Sequence, residues 1–79
     1  MNKKETSHRI KFNLVMPTEK YMAYYKGKAS YIQVRSLDNR NIKFPANAIR
    51  QFLKHDGIHG LFEIHFDENN KLIEIKKIN

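Results

Sequence analysis

The chain reads as an α+β domain in the order β-α-β-β-α-β-β, a largely antiparallel sheet of about five strands with two short helices packed on it. Three observations predict this. Apolar residues alternate with polar ones in five short stretches, two intervening segments carry apolar residues at helical spacing, and glycine, proline and asparagine punctuate the joins. With 79 residues the chain makes one domain, near the lower size at which a core holds without staples.

Residues 1–8 are polar, charged and aperiodic, and read as a flexible tail before a single domain at 9–79. Ile10, Phe12 and Leu14 alternate with Lys11 and Asn13, marking the first strand. Pro17 and Thr18 open a helix, with Thr18 as its cap and Glu19 suited to the positive end. That helix carries Tyr21, Met22, Tyr24 and Tyr25, and Gly27 ends it. Met22 and Tyr25 are its inward candidates.

Ile32 and Val34 mark the second strand, and Tyr31, Gln33 and Arg35 take its opposite face. Leu37-Asp38-Asn39 reads as a three-residue hairpin loop with Asn39 left-handed. This pairs Val34 with Ile42 and Ile32 with Phe44, whereas a two-residue loop would set Arg35 against Ile42. After Pro45, the spacing of Ile49, Phe52 and Leu53 predicts a second helix, with Asn47, Arg50, Gln51 and Lys54 in water. Gly57 stops it. Phe62, Ile64 and Phe66 then alternate with Glu63 and His65, and Asn69-Asn70 serves as a two-residue loop into Ile73 and Ile75. That loop sets Ile64 opposite Ile75 and Phe66 opposite Ile73.

The helix with its Tyr-Met-x-x-Tyr-Tyr-x-Gly run, the segment FPANAIRQF, the turn HDGIHG and the hairpin FDENNK together resemble domain-of-unknown-function family 2835. The likeness runs from about Ile10 to Ile75. It implies a short bacterial single-domain protein and carries no active site with it. Asn39 stands where the resemblance leads one to expect glycine; both residues suit a left-handed turn position.

Net charge is +7 and uneven: residues 1–54 hold twelve lysines and arginines against three acids, residues 55–79 three lysines against five acids. Such asymmetry favours an acidic partner, whether nucleic acid, an acidic protein or an anionic surface, and it also serves plain solubility. Without cysteine there is neither a disulfide framework nor a thiolate metal site. No apolar run approaches a membrane span and the N-terminus lacks the apolar centre of a signal peptide, so cytoplasmic residence is expected.

The sequence supports no catalytic constellation and calls for no cofactor. Thr18, Ser30 and Ser36 lack an evident histidine–acid partner, and three glycines make no phosphate loop. Glu63 and Glu74 read as outward cross-strand residues. His55, Asp56 and His59 have metal-ligating chemistry, but Gly57 and Gly60 break the helix that would align them, so the segment reads as a structural turn.

The expected function is binding. If both helices cover one face of a single sheet, the other displays Lys11, Tyr31, Gln33, Arg35, Lys43 and His65, with cations for phosphates and a tyrosine for an unpaired base. Lys20, Lys26 and Lys28 would extend that patch. The alternative is a protein-interaction or homo-oligomerising module using Tyr24, Tyr31, Leu61, Leu72 and the open sheet edges.

Overall fold

The structure, a computed structural model, describes residues 8–26 and 30–79. Its elements are β1 (His8–Met16), α1 (Thr18–Lys26), β2 (Tyr31–Arg35), β3 (Asn41–Pro45), a 3-10 helix (Ala46–Phe52), β4 (Ile58–Phe66) and β5 (Leu72–Lys77). The α+β class and the element order are those read from the sequence. His8 is the first residue of β1 rather than the end of a tail, and Gly27 and Lys28 lie outside the described residues.

The five strands divide into two antiparallel sheets instead of one. One sheet has the order β1-β4-β5; the other is the β2–β3 hairpin. The two sheets share a core. Phe12 of β1 sits between Phe44 of the hairpin, 5.5 Å away between ring centroids, and Phe62 of β4, 5.7 Å away. Ile10, Leu14, Ile32, Ile42, Ile49, Ile64 and Ile75 close around these rings. A backbone bond from the Leu37 amide to the Lys11 carbonyl, at 2.9 Å, ties the hairpin tip to the free edge of β1.

Both hairpin turns are built alike. In 36–40 and again in 67–71, the first amide donates to the fifth carbonyl and the fourth amide to the first carbonyl. The side-chain oxygen of the first residue, Ser36 or Asp67, accepts from the fifth amide at 2.9 Å. The fourth residue is left-handed in each, Asn39 at φ 70° and Asn70 at φ 62°. This is the three-residue loop with a left-handed third position.

The β2–β3 register is therefore the expected one, with Val34 opposite Ile42 and Ile32 opposite Phe44. The second turn corrects the two-residue Asn69-Asn70 loop to Glu68-Asn69-Asn70. One extra loop residue would flip β5 to the wrong face, and a bulge beside His65 and Phe66 restores parity. Ile64 thus keeps Ile75 as partner, Phe66 faces Leu72, and Ile73 turns out to solvent, 52% exposed.

The second helical segment is 3-10, so residues three apart eclipse and Ala46, Ile49 and Phe52 share its inner face. Its neighbour α1 buries Tyr21, whose hydroxyl donates to the Ala46 carbonyl at 2.9 Å. Tyr25 stacks on Tyr21, and Met22 and Tyr25 are half-buried. Thr18 does not cap α1; its hydroxyl donates to the His55 carbonyl at 3.0 Å. Gly57 has φ 120°, and a Cβ there would overlap the Met16 carbonyl oxygen, so the turn before β4 lies directly on the end of β1.

Candidate nucleic-acid interface on the hairpin face

Strand parity puts Ile32, Ile42 and Phe44 into the core and leaves Tyr31, Gln33 and Arg35 of β2 and Asn41 and Lys43 of β3 on the outer face. In register, Gln33 lies opposite Lys43 and Arg35 opposite Asn41. The Lys43 ammonium stands 5.1 Å from the centroid of the Tyr31 ring, which is 52% exposed. Arg35 is held by a bond from Nη1 to the Asn39 side-chain oxygen at 2.8 Å. Among the described residues, no acid stands on this face. Asp38 lies in the turn, where Arg40 pairs with it at 2.7 Å and the Ser36 hydroxyl also donates to it. The Arg40 bond first, and the Ser36 bond second, hold the Asp38 carboxyl below its ordinary pKa.

Lys11 and His65 do not join this group, because the single sheet that would have united them does not form. They project from the three-stranded sheet, where charge is matched. Lys11 lies opposite Glu63, which also meets Arg9 at 3.5 Å and Lys76 at 3.9 Å. His65 pairs with Arg9 on one side and Glu74 on the other, and its Nε2 is buried without a partner. Lys20 and Lys26 are exposed on α1.

The residues considered for protein contact are also dispersed. Tyr24 and Leu72 pack part-buried against the core, and Tyr31 belongs to the hairpin face. Leu61 is half-buried; its carbonyl accepts from the Ile78 amide at 2.8 Å. With Val15, 76% exposed, and Ile78, 44% exposed, it gives one end of the three-stranded sheet an apolar character.

At 55–59, Asp56 and His59 form an exposed pair at 3.5 Å. Among the described residues no three histidine, aspartate or glutamate side chains converge as a metal site requires. None of the described helices is long and apolar enough to cross a membrane.

Residues 8–78 match the family described as Protein of unknown function (DUF2835). The chain belongs to that family. No curated protein and no solved structure matches it.

Two recesses flank the hairpin face of this DUF2835 chain. One, of about 380 Å³, is lined by Arg40, Asn41 and Lys43 over an apolar floor of Ile10, Ile42 and Phe66. The other, of about 210 Å³, is lined by Tyr25, Ser30, Tyr31, Pro45 and Asn47. Tyr25 is fixed there by Arg50, whose guanidinium lies 4.9 Å from the ring centroid and donates to the hydroxyl at 2.8 Å. Tyr25, Arg40 and Asn47 were not legible as site residues. Only the turn geometry and the 3-10 helix bring them to the hairpin.

Proposed function

We propose that this protein is a non-enzymatic binding module of the bacterial cytoplasm that takes single-stranded nucleic acid on the outer face of the β2–β3 hairpin. The observation that carries the reading is the contrast between the two sheets: Arg9, Lys11 and Lys76 face Glu63 on one, while among the described residues Arg35 and Lys43 face no acid on the other. Cations without local counter-charge are available to phosphates, and an exposed ring beside them is available to a base. The test is a titration with an unstructured oligonucleotide at low and rising salt. Binding should weaken steeply with salt, and Arg35→Glu and Lys43→Glu should each abolish most of it. Equal binding by both variants, or none by the parent at low salt, would refute the proposal.

A second reading rests on Val15, Leu61 and Ile78: the apolar end of the three-stranded sheet would pair with an acidic protein or a second copy of the chain. Sedimentation at rising concentration separates the two. Association that survives high salt and is lost on Val15→Asp supports this one; a monomer throughout removes self-pairing.

A further inference from the structure

The proposed function requires only phosphate binding and a ring; the recess beside Tyr31 specifies more. It is lined by the rings of Tyr31 and Tyr25 together with Ser30, Pro45 and the exposed Asn47. Tyr25 is held in place by Arg50 and Tyr21, so its side of the recess is preformed. Lys43 thus stands between the two recesses, lining the larger one at the other end of β3 and touching Tyr31 of the smaller.

We infer that the smaller recess is a base slot: an unpaired base stacks on Tyr31 against the Tyr25 wall, its polar edge meets Asn47, and Lys43 takes the phosphate that follows. The strand then continues over Lys43 into the larger recess, whose apolar floor and Arg40 rim suit a second base and its phosphate. This deepens the proposed function and rests on it. A carboxamide offers both donors and an acceptor, so the slot accepts any base with an exposed polar edge. Selectivity between bases is therefore weak, and the distinction the slot draws is between a base and no base. A paired base presents neither its face nor its Watson–Crick edge, which excludes duplex.

The experiment compares an octathymidylate with an abasic strand of the same phosphate count, both titrated at low salt. Stacking of one base should make the thymidylate bind at least about fivefold tighter. Tyr31→Leu should bring the two strands to within about twofold of each other, and Tyr31→Phe should restore the gap. Because Tyr31 is half-exposed, these variants leave the core untouched. A tetrathymidylate should exceed thymidine monophosphate by more than about tenfold, since a mononucleotide fills one recess only. Equal affinity for thymidylate and abasic strands would overturn the base slot while leaving the cationic face standing. Binding of neither strand would overturn the proposed function itself.

Discussion

Phe12 is the ring on which the two sheets meet, so its truncation is the sharpest test of the packing. It is wholly buried and contacts Phe44 of the hairpin and Phe62 of the three-stranded sheet. Phe→Ala at a closed core site costs about 3–5 kcal/mol. Two ring pairs, each adding about 0.5–1.5 kcal/mol beyond burial, push Phe12→Ala to the upper end. A domain of this length has roughly 4–12 kcal/mol in total, so the variant approaches the unfolding threshold. Phe52 makes one ring contact, at 5.1 Å to Phe62, and is only half-buried. Phe52→Ala should therefore cost about half as much, roughly 2 kcal/mol. Urea denaturation followed by far-ultraviolet circular dichroism reads both, with Phe12→Leu as the folded control. An isolated two-stranded hairpin is marginal in water, so oligonucleotide binding should fall in step with Phe12→Ala. A loss below about 1.5 kcal/mol for Phe12→Ala, or equal losses at the two sites, would refute the argument that Phe12 joins the sheets.

Gly57→Ala should cost about 2–4 kcal/mol and lower the melting temperature by more than about 10 °C, because the left-handed backbone is strained and the new methyl overlaps the Met16 carbonyl; calorimetry reads the shift. Tyr21→Phe removes the buried hydroxyl bond to the Ala46 carbonyl, at about 1 kcal/mol in denaturant titrations. Burial raises the Tyr21 pKa despite the opposing charge of Arg50, so its contribution is complete below the ordinary value of 10.0 and is lost as pH climbs through the raised one; Tyr21→Phe should lack that alkaline limb. Asp67 is held below the ordinary 3.8 by the Lys71 amide first and then the Asn69 amide. Its contribution is present above 3.8 and fades as pH falls through the lowered value, so Asp67→Asn should flatten the acid limb of a stability–pH profile.

How much of this was legible in the residues depends on how local the deciding interaction is. The β2–β3 register followed from parity alone, since only a three-residue loop puts Ile32, Val34, Ile42 and Phe44 on one face. The second turn misled because two asparagines stand side by side and either tolerates φ above zero; Asn70 takes it and Asn69 does not. The compensating bulge then hides, since alternation reads the same on both sides of it, and Ile73 passes for a core residue. Tyr21 and Tyr25 lie one helical turn apart, and only the Ala46 carbonyl 25 residues on decides that Tyr21 goes inside. Met16 and Ile58 face each other across β1 and β4 at strand ends where the alternating pattern is too short to show. For the candidate site, outward parity was readable strand by strand. Which sheet a strand joins was not, and that is why Lys11 and His65 fell away while Tyr25 and Arg40 came in.

The charge imbalance along the chain becomes an imbalance between the two sheets. The cationic first part supplies β1 and the hairpin; the acidic last part supplies β4 and β5. Because β1 pairs with β4, its Arg9 meets Glu63 and its Lys11 lies opposite it in register, and Lys76 of β5 completes the group. The hairpin pairs only with itself, so it gains no acid from the later strands, and its own Asp38 is taken up in the turn by Arg40. Positive charge is thus left on the strands that carry an exposed ring and two flanking recesses. Solubility depends on the net value and requires no such partition. The proposed phosphate contacts would draw on it, because cations with no acid beside them are the ones free to neutralise phosphates.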